Sequence, residues 1–176
     1  HRTRSLFMLT HIFNSAVCAR CRLCCNFRPA SVWETPFLED SLCEQLSRRG
    51  IPLCTRPNGS RSFCLSFRTD AAEETADCPL LDPTSGCTLP RAERPFECRV
   101  WPLRLMQDES GALCIGCYTA CPALNDAETL KRLTAYACGE LLPELLDYAR
   151  RFPQSIRALH PAYTLLWKQM PCHPGH

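Results

Sequence analysis

The segment Arg94-Pro95-Phe96-Glu97-Cys98-Arg99-Val100-Trp101-Pro102 lies between two groups of closely spaced cysteines. The upstream group starts as C-x2-C-x2-C-C, and the downstream group has the pattern C-x2-C-x3-C-P. Together with the cysteine of the segment, the clustered positions are Cys18, Cys21, Cys24, Cys25, Cys78, Cys87, Cys98, Cys114, Cys117 and Cys121. Thiolates two or three residues apart on short turns can converge on one point, as a metal ion or an iron–sulfur cluster requires. The sequence therefore predicts a metal centre with these ten candidate ligands.

Length and composition are those of an ordinary globular protein. With 176 residues, 45% of them hydrophobic and 22% charged, the chain can bury an apolar core without relying on cross-links. We expect one small, cysteine-rich α+β domain over residues 1–176, with short β-hairpins around the metal centre. Within it, residues 18–121 should form the cysteine-cluster metal-binding region and residues 122–170 a helical segment that packs over it.

The number and spacing of the cysteines favour a metal over disulfides. The chain has fifteen cysteines, an odd number, and Cys24 and Cys25 are adjacent, where a mutual disulfide would be strained. Clustered thiols fit a reducing compartment, so we expect a cytoplasmic protein, with a disulfide framework as the alternative. No apolar run reaches the length of a membrane span, and a net charge of +2 gives no electrostatic argument for nucleic acid. We therefore expect no membrane and no nucleic-acid partner.

Apolar stripes bounded by capping residues predict three helices. They run from Thr35-Pro36 to Gly50, from Asn125-Asp126-Ala127-Glu128 to Arg150-Arg151, and from Gln154 to Lys168. Pro143 should kink or divide the second of them. The last two helices would form the cover.

A hairpin is predicted over residues 51–67, because Pro57-Asn58-Gly59 has the composition of a tight turn. Its register would pair Leu53 with Phe63 and Ile51 with Leu65. Cys54 and Cys64 would then share the opposite face, as two small buried residues or as an accessory ligand pair.

Two more turns are predicted further along the chain. Asp-Pro and Ser-Gly between Cys78 and Cys87 mark a tight turn that could bring these two cysteines together. The residues from Met106 to Leu113 carry a polar turn between two apolar segments, which indicates a second hairpin.

Four arginines are close to Cys98 in sequence, namely Arg91, Arg94, Arg99 and Arg104. Their positive charge would lower the pKa of nearby thiols and offset the charge of a polythiolate centre. Arg94 and Arg99 are therefore candidate cofactor-binding residues. The alternative is a solvated basic loop, or ion pairs of these two arginines with Glu93 and Glu97.

The downstream group, Cys114, Cys117 and Cys121 followed by Pro122, has the spacing of the last three cysteines of a bacterial ferredoxin motif. A radical-SAM motif would have the two spacings in the opposite order. The pattern therefore favours an iron–sulfur cluster.

Three motifs together resemble the YkgJ-type cysteine-cluster family, whose members are thought to chelate zinc or iron. They are the C-x2-C-x2-C-C group, C-P-L-L leading to Gly86-Cys87, and R-P-x-x-C-R-x-W-P, and they span residues 18–121. The resemblance implies the ligands Cys18, Cys21, Cys24, Cys25, Cys78, Cys87 and Cys98, with Arg94, Pro95, Arg99 and Pro102 framing the last. Family members usually carry a glycine within the first group, where this chain has Arg22-Leu23. Flagellin lysine N-methylases are similar more distantly, through their own paired-cysteine motif.

Ten clustered cysteines exceed the needs of one tetrahedral zinc site. They could supply one four-iron cluster with spare thiols or two four-ligand centres, and the ferredoxin-like spacing favours a 4Fe-4S cluster over Zn2+. The preferred arrangement joins the downstream group with one or more of Cys24, Cys25, Cys78, Cys87 and Cys98.

The expected function is metal binding in a structural, electron-transfer, sensing or delivery role, in which the partner is the metal ion or cluster and a redox protein. One alternative is an iron–sulfur-dependent enzyme for redox chemistry or methyl transfer, similar to the flagellin lysine N-methylases. The other is a zinc-ribbon-like interaction module. No phosphate-binding glycine loop and no Ser-His-Asp pattern is recognisable in the sequence, which weighs against other enzyme classes.

Overall fold

The computed structural model describes residues 9–13, 21–69 and 71–170, and these form a mixed α+β structure, as predicted. The α-helices are α1 (Leu9–Ile12), α2 (Asp40–Arg48), α3 (Phe96–Arg99), α4 (Ala127–Cys138) and α5 (Leu142–Arg151). The strands are β1 (Asn26–Phe27), β2 (Leu53–Thr55), β3 (Arg61–Phe63), β4 (Ala76–Asp77), β5 (Leu81–Asp82), β6 (Gly86–Cys87), β7 (Leu103–Gln107), β8 (Leu113–Cys117), β9 (Arg157–Ala158) and β10 (Thr164–Lys168). Short 3-10 helices cover Leu23–Cys25, Pro29–Glu34, Arg91–Glu93 and Pro153–Ser155.

The described residues divide into two compact units. Residues 21–69 and 71–101 form one, called here the cysteine unit, and residues 9–13 and 102–170 form the other, called the sheet unit. The boundary falls between Trp101 and Pro102, whereas the sequence was divided into regions 18–121 and 122–170 of one domain. The downstream cysteine group therefore lies in the same unit as the helical segment. No described helix has the length and apolar character needed to cross a membrane.

The cysteine unit is built from three antiparallel strand pairs around a small core. The pairs are β1 with β4, β2 with β3, and β5 with β6. The core residues are buried and apolar, namely Leu38, Cys43, Leu46, Phe63, Leu80 and Leu89. The predicted pairing of Leu53 with Phe63 is confirmed, and Gly59 in the turn has the positive φ of 80° that favours glycine. The ladder ends at that pair, so the predicted pairing of Ile51 with Leu65 does not extend it.

Helix α2 begins at Asp40, and the predicted start at Thr35-Pro36 is wrong. Thr35 is engaged elsewhere, because Ser62 Oγ in β3 lies 2.8 Å from Thr35 Oγ1 and 2.7 Å from the Pro36 carbonyl oxygen. A side chain that links two segments in this way does not cap a helix. The predicted end is confirmed, because α2 stops at Arg48 and Gly50 follows with a φ of 72°.

The sheet unit contains a four-stranded sheet in the order β10-β8-β7-β9. The predicted hairpin of β7 and β8 is confirmed. The predicted helix over Gln154 to Lys168 is wrong, because this stretch forms a 3-10 turn and the two edge strands β9 and β10. Strand β10 places Trp167 opposite Ile115 of β8. Pairing along the free edge of β8 satisfies backbone hydrogen bonds that a separate helix would leave unpaired.

Two helices complete the sheet unit. Asp126 caps α4 by accepting a hydrogen bond from the Thr129 backbone N–H at 2.7 Å, one residue later than the capping box predicted at Asn125. The predicted division by Pro143 is confirmed, because α4 ends at Cys138 and Pro143 lies in the first turn of α5. Helix α1 lies at the N-terminal end of the sheet unit, and residues 14–20 lie outside the described residues.

Asp108, in the turn between β7 and β8, should make the stability of the sheet unit depend on pH. Its carboxylate pairs with Lys168 and accepts hydrogen bonds from the Ser110 side chain and the Ala112 backbone N–H, which holds the pKa of Asp108 well below its ordinary value. A lowered folded-state pKa contributes stability above the unfolded-state pKa, and this is lost as pH falls through the folded-state pKa. We expect Asp108→Asn to lower Tm near neutral pH, with a difference from wild type that narrows below about pH 4.

The measurement is Tm by circular dichroism between neutral and strongly acidic pH. Glu109→Gln is the matched control, because Glu109 is an exposed acid in the same turn. A Tm difference for Asp108→Asn that stays constant with pH would contradict the electrostatic origin.

Candidate metal centre

Cys25 and Cys78 are brought together by the pairing of β1 with β4. Cys25 directly precedes β1 and Cys78 directly follows β4, and the two strands are antiparallel, with Asn26 opposite Asp77. The Cys78 backbone N–H donates to the Cys25 carbonyl oxygen at 2.7 Å. Two cysteines that are more than fifty residues apart in sequence are therefore neighbours.

The predicted turn between Cys78 and Cys87 is confirmed. Asp82 Oδ1 accepts hydrogen bonds from the backbone N–H groups of Thr84 (2.9 Å) and Ser85 (2.7 Å), as an aspartate does at the start of a tight turn. In the resulting hairpin, Cys87 lies opposite Leu81, and both Cys78 and Cys87 pack against the core of the cysteine unit.

Cys98, in α3, completes a group of four. Desolvation raises the pKa of the Cys98 thiol well above its ordinary value, and the nearby thiols of Cys25, Cys78 and Cys87 raise it further. Desolvation also raises the pKa of Cys78 to about 12, again with contributions from Cys25 and Cys87. Mutual effects of this kind require thiols close enough to interact electrostatically. We call Cys25, Cys78, Cys87 and Cys98 the four-thiol group.

The four-thiol group is close together without forming a closed ligand shell. Among residues 9–13, 21–69 and 71–170, no three Cys, His, Asp or Glu side chains are close enough to hold a metal ion between them. Cys98 keeps an exposed side chain although the surrounding protein desolvates it. The donors nevertheless have the right chemistry, because four sulfurs match a tetrahedral zinc site or a four-iron cluster.

The first cysteine group lies beside the four-thiol group. The Sγ atoms of Cys24 and Cys25 are 3.8 Å apart. The hydrogen bond from Cys24 and the charge of Arg94 lower the pKa of Cys25 more than desolvation raises it. Arg22 has a φ of 54°, a left-handed conformation that favours glycine, and its guanidinium donates to the Pro83 carbonyl oxygen in the β5–β6 turn. Cys18 lies outside the described residues, and no described contact joins Cys21 to the group.

The expectation that the nearby arginines lower the pKa of thiols is confirmed for Arg94 and Cys25 and is wrong for Cys98. Burial and neighbouring thiols, together with the Glu97 carboxylate, raise the pKa of Cys98, and the charge of Arg94 acts on Cys25 instead. Arg94 Nε donates to the Leu89 carbonyl oxygen at 3.1 Å. Arg104 belongs to β7 of the sheet unit and is buried there, with its guanidinium carbon 6.0 Å from the Tyr163 ring centroid.

The predicted convergence of the downstream cysteines is wrong for Cys114. Cys114 and Cys117 both lie in β8, and residues three apart on a strand point to opposite faces. Cys114 Sγ donates to the Ala112 carbonyl oxygen at 3.3 Å, whereas Cys117 is close to Cys121. Burial raises the pKa of Cys117 to about 12, and Cys121 adds to this effect. The cysteines of a ferredoxin motif converge because they lie on a loop, whereas Cys114 and Cys117 lie on strand β8. The sharing of one centre with the upstream cysteines stays a prediction.

Two cysteine predictions outside the metal-ligand candidates have different outcomes. Cys43 is fully buried in the core, and its Sγ donates to the Leu38 carbonyl oxygen at 3.6 Å. The prediction that Cys54 and Cys64 are two small buried residues is wrong, because Cys54 is half-buried and Cys64 is exposed. The two thiols are neighbours, since the Cys64 thiol adds to the desolvation that raises the pKa of Cys54. Sequence reasoning missed the buried Glu97, whose Oε2 accepts a hydrogen bond from the Phe37 backbone N–H at 2.9 Å. No spacing pattern signals such a contact between residues sixty positions apart.

The fold and the site define a cysteine-rich α+β protein in which four thiols from separate segments lie close together. No protein-family model, no curated protein and no solved structure matches this chain.

Proposed function

We propose that this protein binds a metal ion or an iron–sulfur cluster through the four-thiol group. The observations that carry the proposal are the pairing of β1 with β4, which makes Cys25 and Cys78 neighbours, and the packing of Cys78 and Cys87 against one core. The thiols of Cys25, Cys78 and Cys87 also raise the pKa of the Cys98 thiol. Burying several thiols together without a ligand is unfavourable for their ionised forms, and a bound cation compensates by stabilising the thiolates. Cys21 and Cys24 are further candidate ligands, together with Cys18 as the family resemblance implies.

Both zinc and a four-iron cluster remain candidates for the bound group. The preference for iron–sulfur rested on the downstream spacing, and the position of Cys114 and Cys117 on opposite faces of β8 removes that support. A four-sulfur zinc site needs no ligand beyond the four-thiol group. Structural zinc sites are closed, whereas the Cys98 side chain is exposed, which favours metal sensing or delivery over a purely structural role.

The test is anaerobic purification of the full chain, followed by metal analysis and visible spectroscopy. Stoichiometric zinc in a colourless protein identifies the zinc form, and iron with sulfide in a brown protein identifies the cluster form. Reaction with a thiol reagent, before and after metal removal, should show thiols that only the metal protects. A protein that takes up neither Zn2+ nor iron with sulfide, and whose thiols react equally in all samples, would contradict the proposal.

A further inference from the structure

A pocket of about 260 Å³ lies in the cysteine unit beside α2 and α3. Three apolar side chains line part of it, Phe37, Leu42 and Phe96, called here the apolar wall. Small-molecule sites usually have volumes of about 300 Å³ or more, so this pocket is close to the smallest of them. The four-thiol group does not line this pocket, so a ligand here would be separate from the proposed metal.

The same pocket has a balanced charged lining, formed by Arg94, Arg99, Glu39 and Glu93. Among the described residues, none of these four side chains forms an ion pair with another. Arg94 uses its Nε on the Leu89 carbonyl oxygen, and a guanidinium has further N–H groups for another acceptor. Two arginine and two glutamate side chains that share a pocket without pairing are available to a zwitterionic ligand.

Arg99 is the most informative member of the charged lining. Its guanidinium carbon lies 5.6 Å from the centroid of the Phe96 ring, a cation–π contact that limits where the group can move. Its Nε is buried and has no hydrogen-bond acceptor within the described ranges. A buried donor of this kind is satisfied by an incoming acceptor, and the fork of a guanidinium matches a carboxylate.

We propose that this pocket binds a free α-amino acid with an apolar side chain. The ligand carboxylate pairs with the two arginines of the charged lining, and its ammonium pairs with the two glutamates. The side chain packs against the apolar wall, where burial of apolar surface adds affinity. The proposal uses none of the cysteines, and of the residues it uses, Arg94 also acts on the pKa of Cys25 in the four-thiol group.

Calorimetric titration of the purified full chain tests the ligand class. The probes are L-leucine, L-methionine and L-phenylalanine, with 4-methylpentanoate as the leucine analogue without the ammonium and isopentylamine as the analogue without the carboxylate. We expect saturable binding of at least one amino acid, and binding of the leucine analogues weaker than that of leucine by about tenfold or more. If none of the three amino acids shows saturable binding, the proposal is overturned. It is also overturned if either leucine analogue binds as tightly as leucine.

Matched variants test the assigned side chains. Arg99→Gln should weaken amino-acid binding by about tenfold or more, and Arg99→Lys should weaken it too, since an ammonium cannot make the forked contact. Arg48→Gln, at an exposed arginine of α2 outside the pocket, is the control and should bind as wild type. Circular dichroism confirms that each variant is folded. Unchanged binding in folded Arg99→Gln overturns the proposal, and if that variant is unfolded, folded Arg99→Lys decides in the same way.

Discussion

Replacing Cys98 with serine should abolish stoichiometric metal binding. Cys98 is the member of the four-thiol group that all three other thiols influence, so its loss leaves at most three sulfurs around the centre. A zinc ion held by thiolates contributes on the order of 10 kcal/mol to folding, so we also expect a large fall in Tm. The measurements are metal content per chain by mass spectrometry after dialysis, and thermal unfolding with and without a chelator.

Cys64→Ser is the matched control for this prediction. Cys64 is an exposed cysteine of the same unit, and its described thiol neighbour is Cys54, outside the four-thiol group. The control should keep its metal and its Tm. Full metal retention in Cys98→Ser and in Cys78→Ser would remove these residues from the ligand set and contradict the proposed site.

Replacing Phe63 with alanine should destabilise the cysteine unit by about 3–5 kcal/mol. Phe63 is 1% exposed and belongs to the core against which Cys78 and Cys87 pack. The cavity would remove support from both cysteines, so we expect weaker metal binding as well. The measurements are urea unfolding by circular dichroism and competition for the metal with a chromogenic chelator.

Leu165→Ala is the control for the cavity, because Leu165 is a large apolar residue of β10 that is 45% exposed. Its replacement should change the free energy of unfolding by no more than about 0.5 kcal/mol. A loss of stability in Phe63→Ala as small as that in Leu165→Ala would show that this core does not support the cysteine unit.

Turns were the features that sequence reasoning predicted best. Pro57-Asn58-Gly59 and the Asp-Pro and Ser-Gly pairs before Cys87 specify backbone conformations locally, and both hairpins form where predicted. The stop of α2 near Gly50 and the break near Pro143 have the same local origin. Such residues act through their own φ angles or missing N–H groups, so no distant partner is needed.

Elements that depend on distant partners were predicted less well. The stretch from Gln154 to Lys168 was expected to be helical, yet β10 forms because β8, about fifty residues earlier, offers a free edge. Thr35 was expected to cap a helix, yet Ser62 binds it instead. In both cases a tertiary contact overrides a local preference, and short apolar runs do not distinguish strand from helix.

In the candidate site, too, sequence reasoning predicted the local motifs better than the features that depend on distant partners. The motifs that contain Cys25, Cys78, Cys87 and Cys98 indicated these residues, and in the structure the first three thiols are near enough to raise the pKa of Cys98, although no three described side chains can hold one metal ion. Spacing alone could not show that Cys114 and Cys117 lie on a strand and face apart. Nor could it show that burial would raise the pKa of Cys98, since desolvation depends on the packed structure.

The order of the two units along the chain has a consequence for biosynthesis. Helix α1 packs with α4 in the sheet unit, yet the whole cysteine unit lies between them in sequence. During translation, residues 21–101 leave the ribosome before any strand of the four-stranded sheet emerges. Because compact units generally fold as they emerge, the cysteine unit can gather its thiols while α1 still lacks its helical partner.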